Sequence, residues 1–166
     1  MSGIINQVGS KSGVIDGLIG SLGGTCSFLA RRGVDPSWAS VTESTVLLFD
    51  NVSTGEGHDT DGCYDTSAYK FTVPSSGVYF FWFAVYCAED NVSNGFQFKK
   101  NGVATGLDIT QSHVNNLTAH HHSADDHLQN GSLVVTLTSG DYIQVAASLD
   151  SHVYIAHCSW GGCKLR

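Results

Sequence analysis

Apolar positions fall along this chain in short runs separated by turn-forming residues, and the runs have the length of strands rather than helices. Phe28 to Arg32 is the first run, Val46 to Phe49 the second and Tyr69 to Val73 the third. Pro74-Ser75-Ser76-Gly77 then places proline and glycine where a turn uses them. Val78 to Cys87 follows, reading VYFFWFAVYC. Gly95 to Lys100 turns at Asn101-Gly102, a two-residue hairpin signal. Leu133 to Thr138 and Tyr142 to Leu149 pair across Ser139-Gly140, and Val153 to Trp160 with Cys163 to Arg166 closes the chain. Turn signals every 8–12 residues or so, with no amphipathic helix after residue 24, predict about eight to ten antiparallel strands in a two-sheet sandwich.

The run from Val78 to Cys87 breaks the usual rule. A strand with one wet face alternates apolar and polar residues. Here one face carries Val78, Phe80, Trp82, Ala84 and Tyr86, and the other Tyr79, Phe81, Phe83, Val85 and Cys87. A two-layer sandwich buries only one face of each sheet, so the second greasy face needs a cover. Another copy of the chain is the expected cover, with Tyr79, Phe80, Phe81, Trp82, Phe83 and Tyr86 shared between core and subunit interface. A covering loop from residues 50–65 or 104–118 is the alternative.

Residues 1–24 are a different kind of sequence. They hold seven glycines, with Ile4, Ile5, Val8, Val14, Ile15, Leu18, Ile19 and Leu22 threaded among them. So much glycine disfavours an autonomous helix, and so many aliphatics disfavour a plain linker. An anchoring segment that orders by docking onto another surface is expected, ahead of a domain over residues 25–166. The alternative is a loose terminus.

Composition narrows the partners. Only 14% of residues are charged, against roughly 25% in an ordinary domain, so part of the surface is available for burial against other chains. The net charge of −7 disfavours nucleic acid, whose phosphates need clustered cations. The basic pairs Arg31-Arg32 and Lys99-Lys100 read as exposed strand ends. No apolar run is long enough to cross a membrane, and the first twenty residues do not resemble a secretion signal. The sequons at Asn51, Asn91, Asn116 and Asn130 therefore read as turns. Five cysteines without a C-x-x-C pair exclude zinc-ribbon spacing. Buried thiols are expected, with one or two disulfides as the alternative.

Candidate chemistry is sparse. His113, His120, His121, His122 and His127 cluster with Asp125 and Asp126. His120 and His122 share one face of a strand, and an i, i+2 imidazole pair can chelate a transition metal. Polar loop or interface histidines are the alternative. Glu89, Asp90 and Asn91, or Glu56, Asp59, Asp61 and Asp65, offer oxygens for Ca²⁺, though neither set has EF-hand spacing. No G-x-S-x-G elbow and no glycine-rich phosphate loop occurs, so no enzyme and no resident cofactor is expected.

The run Tyr64-Asp65-Thr66-Ser67-Ala68-Tyr69-Lys70-Phe71-Thr72-Val73-Pro74-Ser75-Ser76-Gly77-Val78-Tyr79-Phe80-Phe81 resembles the signature of the globular head of complement component 1q. Phe28-Leu29-Ala30-Arg31, Val46 to Val52, Lys100-Asn101-Gly102, Leu137 to Ile143 and Trp160 to Leu165 resemble other pieces of that family in the same order. The resemblance implies an all-β, antiparallel two-sheet jelly roll of about ten strands, related to the tumour-necrosis-factor fold and assembled as a homotrimer. No collagen-like G-X-Y stalk precedes the domain, which sets it apart from the secreted complement proteins. Met1 to Ile15 is similar to the openings of structural proteins of marine bacteriophages, cyanophages among them. That likeness implies a virion protein, a capsid decoration or fibre-like module anchored to other capsid or tail components. The alternatives are a tail-fibre head that binds a host glycan or receptor, through residues such as Trp38, Tyr64 or Tyr154, and a secreted complement-type binding protein.

Overall fold

The computed structural model describes residues 26–33, 38–53, 55, 57–88, 94–110, 126–154 and 157–166, with the side chains of residues 38, 88, 106–110, 126 and 127 set aside. Twelve strands follow one another among them. They are β1 (Ser27–Arg31), β2 (Trp38–Val41), β3 (His58–Asp59), β4 (Tyr64–Asp65), β5 (Lys70–Thr72) and β6 (Gly77–Ala88). The second half holds β7 (Gly95–Lys100), β8 (Val103–Thr110), β9 (Asp126–Leu137), β10 (Tyr142–Ala147), β11 (Ser151–Tyr154) and β12 (Ser159–Lys164). No helix among the described residues is long and apolar enough to cross a membrane.

Two antiparallel sheets form. The larger runs β2-β11-β6-β12-β1-β3, with β9 on the other edge of β6; the smaller runs β4-β5-β10-β7-β8. Strand β6 is the spine of the larger sheet because it is long enough to pair along its full length with β9, from Gly77 opposite Leu137 to Ala88 opposite Asp126. Its other edge is divided: β12 pairs with residues 79–84, and β11 meets it at Cys87.

Two expectations about strands change. The stretch Val153 to Trp160 is not one strand, because β11 and β12 are separate elements. Val46 to Phe49 forms no regular strand either. Val46 makes a single bridge to Ala146, while Leu47 and Phe49 bury their side chains beneath it. Apolar alternation there records burial, not a ladder. With the short β2, β3 and β4 included, the described residues hold twelve strands, in keeping with a jelly roll of about ten.

The core lies between the sheets and is mostly aromatic. Phe28 on β1 stacks on Tyr64 and on Phe71, each at 5.0 Å between ring centres, and meets the edge of Trp160 at 4.6 Å. Phe71 and Phe81 meet edge to face at 5.3 Å, and Phe83 and Phe98 pack at a tilt with 5.1 Å between centres. Such offset and edge contacts add to the burial each ring already gains. Gly162 on β12 is required by this arrangement, since a Cβ there would run into the Phe81 ring and lie 2.8 Å from the carbonyl oxygen of Phe80.

Candidate functional site

Alternation along β6 sorts its aromatic residues into two sets. Tyr79, Phe81, Phe83, Val85 and Cys87 point inward and are buried between the sheets. Phe80, Trp82 and Tyr86 point outward and are only half-covered by their own chain. The six residues of the proposed core-and-interface group are therefore divided, three inside and three on the outer face of the larger sheet.

Register extends that outer face. Phe80 lies opposite Val134 on β9 and Cys163 on β12; Trp82 lies opposite Ser132 and Gly161. Tyr86 lies opposite Leu128. Leu29 on β1 continues the row from Gly161. Val134 is 62% exposed, high for an aliphatic residue on a sheet face. Gly161 shapes the centre of the patch. A Cβ at that position would lie 3.2 Å from Trp82 Nε1 and 2.7 Å from the Phe28 carbonyl oxygen. The missing side chain lets the indole lie down across β12. At one end Tyr86, Tyr154 and the exposed His157 form an aromatic cluster, with ring centres 4.8 to 6.0 Å apart. The outer face thus joins aromatic and aliphatic side chains with small polar ones, Ser132 and Asn130 among them, a mixture suited to burial against a protein.

Other candidates are placed as follows. Tyr64, a proposed sugar-stacking residue, is buried: its hydroxyl donates to the Phe49 carbonyl at 2.7 Å and accepts from Trp160 Nε1 at 3.2 Å. Burial pushes its phenol well above the ordinary value, so it belongs to the core rather than to a ligand site. Tyr154 sits in the aromatic cluster, and the Trp38 side chain lies outside the described residues. So do the anchoring residues Ile4, Ile5, Val8, Val14, Ile15, Leu18 and Ile19, the histidines His120 and His122, and the acidic set Glu89-Asp90-Asn91.

Of the second acidic set, Glu56 lies outside the described residues, and Asp59 and Asp65 are occupied locally. Asp59 accepts from the amides of Cys63 and Tyr64, each at 3.0 Å. Asp65 accepts from the amides of Ser67 and Ala68 and from the Ser67 hydroxyl, which holds its carboxyl below the usual range. These carboxylates brace turns. Lys99 and Lys100 are likewise engaged, with the Ser44 carbonyl and Asp141 respectively. A Ser27–His58 contact of 3.2 Å occurs at the surface, but the neighbouring carboxylate, Asp59, is spent on backbone amides. An open, largely apolar pocket of about 300 Å³ lies between β2, β11 and the 45–49 segment, with Arg32 and Cys158 at its wall. Sequence reasoning missed this pocket because its lining comes from five separate stretches.

Comparison with known proteins follows the same lines. The C1q domain profile matches residues 28–159. The globular domain of zebrafish complement 1qA superposes with a TM-score of 0.57 at 16% identity, covering 86% of this chain and 98% of that one. Eiger TNF from S. frugiperda superposes with a TM-score of 0.54 at 12% identity, covering 85% of this chain and 92% of that one. At such identities the two structures speak for the fold alone. No curated protein sequence matches significantly. The signature from Tyr64 to Phe81 and the two-sheet jelly roll agree with the profile, and the chain belongs to the C1q domain family.

Proposed function

We propose that this protein is a homotrimeric, non-enzymatic binding module whose subunits meet through the outer face of the larger sheet. The observation that carries the reading is the half-covered row of Phe80, Trp82 and Tyr86 beside the exposed Val134. Domains of the C1q and tumour-necrosis-factor families are typically trimeric and bind receptors or other ligands. Covering the part of these rings that the chain itself leaves exposed, together with Val134, adds apolar burial on association. Left in water, the same patch would promote aggregation.

The finer reading is a module displayed on the surface of a bacteriophage particle. Residues 1–24 would anchor it to capsid or tail components, and the jelly roll would face outward. The likeness of Met1 to Ile15 to phage structural proteins and the acidic charge, unsuited to packaged genome, support it.

Two experiments test the readings separately. Replacing Trp82 and Val134 together by Asp is expected to yield a folded monomer, seen as unchanged far-ultraviolet circular dichroism with a threefold lower mass. A double variant that stays trimeric would refute the proposed face. For the particle role, mass spectrometry of purified virions is expected to detect the chain, and its absence from them would end that reading.

A further inference from the structure

None of the five cysteines is in a disulfide, and four of them are buried. Two are neighbours. Cys26, just before β1, donates a sulfur–sulfur contact of 2.7 Å to Cys63, just before β4. They are 37 residues apart in sequence. The contact is shorter than ordinary nonbonded separations of about 3.5–4.0 Å and lies nearer to a covalent S–S bond of about 2.05 Å. Both backbones are held in place. The Cys26 carbonyl accepts from the Lys164 amide, and adjoining Ser27 exchanges hydrogen bonds with Thr60. The Cys63 amide donates to Asp59, and its carbonyl accepts from the Thr72 amide.

Asp61 completes a three-ligand group with these sulfurs, all ligand atoms lying within 4.8 Å. A metal is nevertheless the poorer fit. Two thiolates on one tetrahedral zinc stand about 3.7 Å apart, from Zn–S bonds of about 2.3 Å, and this pair is much closer. Burial, together with the nearby carboxylates of Asp61 and Asp59, raises both thiols above the ordinary value. The surroundings thus oppose thiolate charge and favour a neutral form.

We infer that Cys26 and Cys63 are a disulfide site, oxidised by a small-molecule disulfide to form a covalent staple between the two sheets where residues 1–25 lead into the domain. Oxidation runs through the small ionised fraction: Cys63, on losing its proton to solvent, attacks the oxidant and releases one thiol. The Cys26 thiolate then attacks the mixed disulfide at the Cys63 sulfur and releases the second. Two protein thiols lose two protons and two electrons, and the oxidant becomes two thiols. Cys26 leads into the larger sheet and Cys63 into the smaller, so the bond ties the layers together.

The test refolds the full chain in a glutathione redox buffer and maps its peptides after alkylation. The expected result is a Cys26–Cys63 linked peptide and a chain lighter by two hydrogen atoms. Full alkylation of both cysteines, or a pairing with Cys87, Cys158 or Cys163, would overturn the inference. So would stoichiometric zinc whose removal by a chelator frees both thiols. Thermal melting gives a second readout. The oxidised chain should melt about 10 °C above the reduced one. Cys158→Ser should keep that difference, and Cys26→Ser with Cys63→Ser should abolish it; a difference that survives the double substitution contradicts the staple.

Discussion

Tyr64 and Asp141 show how single polar groups hold this sandwich together, by opposite means. The Tyr64 hydroxyl is buried and serves both the Phe49 carbonyl and the Trp160 indole. Tyr64→Phe keeps the ring stack on Phe28 but leaves two buried polar groups without their partner. The expected loss is about 1–3 kcal/mol in urea unfolding; a neutral result would mean that water replaces the hydroxyl. Asp141 works at the surface. Its carboxylate accepts from Asn101 Nδ2 at 2.8 Å, from Lys100 Nζ at 2.9 Å and from the Thr138 amide at 2.9 Å, clasping the β7–β8 turn to the β9–β10 turn. Asn101, at a positive φ of 51°, and Gly102, at 80°, give that hairpin turn its shape. The Asn101 hydrogen bond, then those of Lys100 and Thr138, lower the Asp141 carboxyl to about 2. Because the folded value lies below the unfolded one, the clasp stabilises fully above the unfolded value of 3.8 and is lost as pH falls through about 2. The stability gap between the wild type and Asp141→Asn should therefore close on acidification from about pH 5 to pH 2. A gap independent of pH across that range would show that the charge of Asp141 is not what matters.

Among the elements, β6 decides the architecture. Its inward residues fill the sandwich, so Phe81→Ala should cost about 3–5 kcal/mol through the cavity left beneath Gly162. Gly161→Ala is expected to act on the other side. It removes nothing from the core, but its Cβ crowds the Phe28 carbonyl and the Trp82 indole. Weaker self-association measured by dilution, along with some loss of stability, is the predicted outcome; unaltered association would mean that the indole orientation is immaterial. Much of this was legible in the sequence. The Asn101-Gly102 hairpin, the β9–β10 pair and the two-faced character of β6 all follow from local pattern. Val46 to Phe49 misled because burial by a crossing segment produces the same alternation as a strand. The break between β11 and β12 was hidden because an apolar run from Val153 to Trp160 does not show where β6 changes neighbours. The closeness of Cys26 and Cys63 was also illegible. It depends on β1 pairing with β3 across a long separation, and no short motif marks it.

On the scale of the whole molecule, packing of the two sheets buries the inward face of β6 but leaves its outward face partly exposed. Phe80, Trp82 and Tyr86 remain half-covered and Val134 largely bare in the single chain. Periodicity pointed to a second cover, from another copy of the chain or from one of its own loops. It could not reveal which residues meet across subunits, because that depends on symmetry rather than on local sequence. The proposed answer is a threefold assembly about the larger sheet. Sedimentation equilibrium of the unaltered chain at micromolar concentration tests it most directly. A single species of three chain masses, unchanged on tenfold dilution, is the predicted result; a stable, soluble monomer would contradict it.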